Sequence, residues 1–256
     1  MLYGLYLSAQ GAQAQATRLD VLSNNLANAG TTGFKRDLAI FQSHPSYDVE
    51  NGGFSNAPGN QSALSGGVTP AKVVTDFSNG PLVHTGGALD VALTGPGFFQ
   101  VTNGNQQFLT RKGQFSLSST GELMLQDSGM RVLSNTGNAI NVPSESTRIE
   151  IGTDGALTSV SPDGSRTQVA KLAVVKPANE QRLEKAGASL FRTNSPVSPV
   201  GNELKLQQGF TEASGVTPVS EMIDMVQASR MVEANVNMIK YQDDALDRLL
   251  QSAAPH

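Results

Sequence analysis

Each end of the chain carries an apolar stripe in alternating steps of three and four residues. A helix with one such stripe must bury it, and here the takers are the other stripe or a neighbouring molecule. The first stripe runs Leu2, Leu5, Ala9, Ala12, Ala16, Leu19, Ser23, Leu26. Its alanines let a partner helix come close, and Asn28-Ala29-Gly30 supplies residues that tolerate a left-handed C-terminal cap. The second runs Met222, Met225, Ser229, Val232, Val236, Ile239, Asp243, Leu246, Leu250, with Thr217 as N-cap, Pro218 in the first turn and Glu221 and Asp224 near the positive end of the dipole. The spacing predicts seam helices over residues 1–30 and 215–256, the stretches Leu2 to Leu26 and Thr217 to Leu250 spanning about 40 and 50 Å at about 1.5 Å per residue. The residues expected to carry the assembly seam are Leu5, Leu19, Leu26, Met222, Val232, Val236, Ile239 and Leu246.

Between the seams the signals change. Residues 31–70 read as an irregular connecting segment, most strongly from Asn51 to Gly67, where Gly, Asn, Ser and Pro carry no apolar period. From 71 to 214 short β-type runs recur: Val91 to Leu93, Phe98 to Val101, Phe115 to Leu117, Leu123 to Leu125, Ile149 to Ile151, Leu157 to Val160 and Val169 to Val175. Thr120-Gly121, Asp154-Gly155 and Asp163-Gly164 are hairpin signals, so the strands are expected to be mainly antiparallel. The expected fold class is α+β: long terminal helices forming a coiled-coil-like pair around an all-β middle domain.

Chemistry-bearing patterns are sparse. Net charge is -4, and no basic run exceeds the pairs Lys35-Arg36 and Arg111-Lys112, which argues against a nucleic-acid partner. There is no Cys for a disulfide or a thiolate metal site. No apolar run approaches the roughly 18 residues of a membrane-spanning helix. Leu2 to Leu7 followed by Ala12-Gln13-Ala14 resembles a secretory leader, but lacks a preceding Lys or Arg and is short. Gly95-Pro96-Gly97 lacks the third glycine of a phosphate loop and reads as a tight turn before a buried strand. His44, His84 and His256 are too scattered for a metal site, and Asp127, Asp154 and Asp163 read as turn-capping residues. Met222, Met225, Met231 and Met238 read as packing, with an adaptable binding face as the other possibility. Asp243 either points to solvent or fixes register. No catalytic residue, metal site or cofactor is expected.

Three blocks carry a resemblance. Ser23-Asn24-Asn25-Leu26-Ala27-Asn28, followed by Thr31-Thr32-Gly33-Phe34-Lys35, resembles the N-terminal signature of the flagellar rod and hook family. Leu89-Asp90-Val91-Ala92-Leu93 with Gly95, Gly97, Phe98, Phe99 and Val101 is similar to that family's central strand motif. Glu212-Ala213-Ser214 with Val216 and Pro218 is similar to the segment entering its C-terminal helix, Gly215 standing where the family usually has Asn. The resemblance implies a structural rod subunit of the flagellar basal body that transmits torque and is exported by the flagellar type III apparatus without a cleaved signal. It implies assembly with itself and other rod subunits through its terminal helices. The run Lys171 to Lys176 followed by Leu190-Phe191 looks more like a proximal than a distal rod subunit.

Other readings stay open at this level. A surface β-domain adhesin with helical oligomerisation ends shares the seams and turns but not the three ordered blocks, and a polysaccharide-cleaving enzyme needs carboxylates such as Asp90 and Glu122 to converge. Asn24 and Asn25 sit in the last helical turns, where Asn is a mediocre helix former. Their amides are candidates to bond a neighbouring subunit, the simpler reading being capping and turn formation around Asn28 and Gly30. Gly4 and Gly11 each weaken an isolated first helix by up to about 1 kcal/mol relative to Ala, so the ends of an unassembled subunit are expected to fray.

Overall fold

The computed structural model describes residues 2–43, 67–201, 203 and 205–253. The reading of Asn51 to Gly67 as irregular falls almost wholly on residues outside the described ones, as do His44 and His256. The chain divides into two compact units: one holds Met1–Ala27, Asp37–Thr75 and Thr217–His256, the other Asn28–Arg36 and Asp76–Val216.

The first unit contains the two helices, α1 (Leu2–Ala27) and α2 (Pro218–Ala253). They lie side by side and antiparallel: Gly4 faces Gln242, Gly11 faces Asn235, and Arg18 Nη2 is 3.3 Å from Asp224 Oδ1. α2 begins where Thr217-Pro218 places it, with the Glu221 amide donating to the Thr217 carbonyl at 3.1 Å. At the end of α1 the outcome differs from expectation. Gly30 is not left-handed; the chain turns instead through bonds from Thr31 N to Asn28 O and from Phe34 N to Thr31 O, and Gly33 takes the positive φ.

The inward stripe of α2 also differs from the expected one. Glu221, Met225, Ala228, Val232, Asn235, Ile239, Gln242 and Leu246, in alternating steps of four and three, are sheltered, with Asp224 and Ser229 half-buried beside them. The expected seam shares Met225, Val232, Ile239 and Leu246 with it. Its other column is one residue off: Met222 is 44% and Val236 38% exposed, and Asp243 points outward. The reason is steric. Glycines on α1 leave room opposite Asn235 and Gln242, so amides occupy inner positions that hydrophobicity alone assigns to apolar neighbours. On α1 the deepest residues are Ala14, Leu22 and Asn25, while Leu5, Leu19 and Leu26 are half-buried and Ala9 and Ser23 exposed.

Two strands complete this unit where an irregular connector was expected. β1 (Asp37–Ser43) and β2 (Val68–Thr75) pair antiparallel, from Asp37 opposite Thr75 to Ser43 opposite Val68, with a bulge between Ile40 and Phe41. No turn signal joins strands so far apart in sequence, which hid the pairing.

The second unit is mainly β, with a 3₁₀ turn at Glu180–Arg182. β3 (Leu82–His84), β4 (Val91–Thr94), β5 (Phe98–Thr102), β6 (Gln107–Thr110), β7 (Phe115–Leu117), β8 (Leu123–Leu125) and β9 (Arg131–Val132) come first. β10 (Arg148–Ile151), β11 (Ala156–Val160) and β12 (Arg166–Lys171) form two hairpins at the Asp154-Gly155 and Asp163-Gly164 turns. β13 (Val174–Pro177), β14 (Glu184–Lys185), β15 (Leu190–Arg192), β16 (Val197–Pro199), β17 (Lys205–Gln208) and β18 (Phe210–Glu212) follow. The main sheet runs β14-β15-β6-β5-β9-β8-β7, with β13 and β16 joined through β5. All these pairings are antiparallel, so the molecule is α+β with a mainly antiparallel middle domain.

The single strand expected over Val169 to Val175 is two. Leu172 N bonds Gly155 O, Ala173 N bonds Leu133 O, and there the chain passes from one sheet to the other. Alternation along the strands gathers Val91, Leu93, Phe99, Val101, Phe115, Leu123, Leu125, Leu157 and Leu206 into one core. A smaller core holds Phe98, Leu109, Val175, Leu183 and Phe191, with Phe77 edge-on to Phe98 at 5.8 Å between centroids.

Candidate functional site

Within the β-rich unit the three sequence blocks converge on one carboxylate. Glu212 ends β18 and is 2% exposed. Its Oε1 accepts from Lys35 Nζ at 2.6 Å and from the Gly80 amide at 2.8 Å. Its Oε2 faces Arg111 Nη1 at 3.6 Å. Arg111 in turn donates to the Gly95 carbonyl at 2.9 Å and lies over the Phe98 ring at 5.1 Å. Lys35 from the first block, Gly95 and Phe98 from the second and Glu212 from the third thereby share one buried network.

Packing holds the first block in place. Gly33, at φ 65, lies where an added Cβ would sit 2.7 Å from the Lys112 amide nitrogen, so no larger residue fits without moving the backbone. The Gly33 amide donates to Glu212 O at 2.8 Å, and the Gly215 amide donates to Phe34 O at 3.0 Å. Thr32 donates to Gln114 Oε1 at 2.8 Å, while Lys185 donates to Lys35 O at 2.7 Å and sits over the Phe34 ring at 4.2 Å. Lys35 also donates to Ser78 O at 2.7 Å, and the Asp76 amide to Arg36 O at 2.8 Å.

Burial shapes the electrostatics. Desolvation is the largest influence on Lys35 and on Arg111 and lowers the pKa of each, Glu212 opposing it in both cases. Two cations and one carboxylate are thus held out of water together. Asp76 is lowered as well, first by the hydrogen bond from the Ser78 amide. The neighbouring Lys112 pairs with Asp127. Asp127 is therefore an ion-pair partner beyond its expected turn role; Asp154 and Asp163 accept from the amides of Ala156 and Ser165 as turn residues do, Asp154 also pairing with Lys171 at 3.4 Å.

The remaining motif residues divide by place. Asp90 accepts from Thr85 at 2.5 Å, Gly97 and Phe99 are buried, and Ser214 Oγ accepts from the Val216 amide at 3.3 Å. In the helical unit Asn25 is fully buried: its Oδ1 accepts from the Asp37 amide and its Nδ2 donates to the Asp37 carbonyl, both at 2.9 Å. Nδ2 also lies 3.4 Å from Glu221 Oε2. The Asn25 amide is thus engaged inside its own subunit rather than offered to a neighbour. Ala27 and Pro218 are exposed, as is Asn24, and Asn28 is half-buried. Sequence reasoning missed Arg111 and Lys112 as parts of this site; both are buried, and only the adjacency of two basic residues after the short run Phe108-Leu109 hinted at them.

Among the described residues no helix is long and apolar enough to cross a membrane, and no cluster of three His or carboxylate side chains could hold a metal. His84 is exposed and stacks edge-on to Phe210 at 4.9 Å.

Paired terminal helices and a β-rich unit whose motif residues are spent on packing are the make-up of a structural subunit. Three family models match in chain order: a flagella basal body rod protein model over residues 5–35, a flagellar hook protein FlgE/F/G D1 domain over 92–159, and a flagellar basal body rod FlgEFG protein C-terminal model over 207–252. The chain is 34% identical to the flagellar basal-body rod protein FlgG of Buchnera aphidicola subsp. Schizaphis graminum, covering 98% of this chain and 100% of the relative. It is 31% identical to FlgG of Bacillus subtilis over 98% of both chains, and 31% identical to FlgF of Caulobacter vibrioides over 92% and 91%. The chain belongs to the flagellar basal-body rod protein family. It is a structural rod subunit and not an enzyme, and the adhesin and polysaccharide-cleaving readings fall away.

Proposed function

We propose that α1 and α2 form a coiled-coil-like pair whose outer face joins subunits along the rod, and that the assembled chain passes torque from motor to hook. The observation that carries this is the exposed stripe at the start of α2. Val219, Met222, Ile223 and Val226 recur at helical spacing and are 62, 44, 55 and 51% exposed. A stripe this apolar on a solvent-facing helix is suited to a further helix. Met222 and Val236, outward in the subunit, thereby join Leu5, Leu19 and Leu26 as residues of the assembly seam, while Val232, Ile239 and Leu246 serve the pair itself. The partners are further copies and other rod subunits, reached by flagellar type III export without a cleaved signal, in the periplasmic part of the basal body.

Ile223→Asp tests the reading, since Ile223 is exposed and its replacement spares the subunit fold. Unchanged circular dichroism with loss of incorporation into basal bodies is the expected result. Normal incorporation of Ile223→Asp and Met222→Asp alike would remove this face from assembly.

A further inference from the structure

Three of the four places where the chain enters or leaves the β-rich unit lie beside the buried charge network. The unit consists of Asn28–Arg36 and Asp76–Val216, so its covalent exits lie at residues 28, 36, 76 and 216. Lys35 stands one residue inside the second exit, Ser78 and Gly80 just inside the third, and Glu212 four residues before the last. Lys35 Nζ holds Ser78 O and Glu212 Oε1, and Glu212 Oε1 holds the Gly80 amide. Backbone bonds from Gly33 to Glu212, from Gly215 to Phe34 and from Asp76 to Arg36 run beside them.

Stability alone is a weak reason for such a site. A buried ion pair bears a desolvation penalty that well-packed apolar residues avoid, and its best-attested use is to fix register. Geometry agrees with that use here. Residues 31–36 pass through a turn with Gly33 at φ 65, and a slip of one residue would break the Gly33–Glu212 and Gly215–Phe34 backbone bonds together with the Lys35–Glu212 pair. Lys35 and Glu212 meet only in one register of residues 31–36 against 212–215, and the Ser78 and Gly80 bonds extend that requirement to 76–80.

We propose that Lys35 and Glu212, backed by Arg111, are positioning residues for assembly: they lock residues 31–36, 76–80 and 212–215, the stretches that lead out of the β-rich unit, in one mutual register. The inference rests on the rod-subunit reading. Its first test needs no rod, so the two fail separately.

Hydrogen exchange on the full-length Lys35→Met/Glu212→Met double variant provides that test, with Lys35→Met alone as the second variant. The expected result is a loss of protection of tenfold or more at the amides of 33–36, 76–80 and 212–215, with the amides of β5, β8 and β11 unchanged. Incorporation into basal bodies should fall in parallel, although the β body stays folded. Loss of protection spread evenly over the β-rich unit in both variants would reduce the network to ordinary core stability and overturn the proposal. Wild-type protection at those three segments, or wild-type rods built from the double variant, would overturn it as well.

Discussion

A side-chain amide that trades two hydrogen bonds with the backbone of one residue does the work of a neighbouring strand, and Asn25 does so for Asp37 at 2.9 Å in both directions. Asn25→Ala should therefore destabilise the helical unit by about 1–3 kcal/mol, the cost of leaving buried polar groups unpaired, measurable as a lower urea midpoint of the helical signal. An Asn25→Ala protein of wild-type stability would contradict that role. Its motif could be read in the sequence, but its partner could not, because the Asp37 backbone has no marker of its own. The charge network makes a second residue-scale prediction. Glu212→Gln leaves Lys35 and Arg111 as uncompensated buried cations and should cost about 3–5 kcal/mol. Lys35→Met should cost less, since Glu212 keeps Arg111 and the Gly80 amide. pH separates the two states of Lys35. Burial holds its folded pKa below the ordinary 10.5, so between the two values the unfolded chain binds the extra proton. Stability from this group then rises with pH across that alkaline window, and wild type should gain on Lys35→Met as pH approaches 10.5. A constant difference between the two proteins over that range would contradict the assignment.

At the scale of elements, the helices were legible as helices and less so as faces. Spacing located both, and Thr217-Pro218 marked the start of α2. One column of the α2 seam was misplaced because an amide over a glycine is sterically welcome and looks wrong on a hydrophobicity scale. An added Cβ at Gly11 would lie 3.2 Å from the Asn235 amide, and one at Gly4 3.0 Å from Gln242. Gly11→Leu should part the helices at that level, although Leu is the better helix former by nearly 1 kcal/mol. Increased protease cutting of α2 near Asn235 would register the separation, and an unchanged cutting pattern would speak against close approach there. Ala228 has no exposed surface, so Ala228→Asp should disrupt the pair where Ile223→Asp does not. The hairpins were readable from Asp-Gly and Thr-Gly pairs, which set local geometry. β1 with β2, β3 with β18 and β4 with β17 were not, because their partners come from distant parts of the chain and no local residue encodes the match.

For the molecule as a whole, order along the chain conceals proximity. Blocks near residues 35, 95 and 212 look independent in the sequence, yet they share one buried carboxylate. Family membership was therefore easier to read than the reason for the motifs: residue identities announce the family, while their convergence exists only after folding. Chain ends that are folded against each other while presenting apolar residues outward describe a part made to be built into something larger. The most direct measurement is of basal bodies purified from the bacterium that encodes this chain, comparing the wild type with a deletion strain complemented by the wild-type or Ile223→Asp gene. The account predicts the chain as a stoichiometric component with density in the rod, rods missing or truncated in the deletion strain, and restoration by the wild-type gene only. Complete rods in the deletion strain, or basal bodies lacking the chain in the wild type, would contradict it.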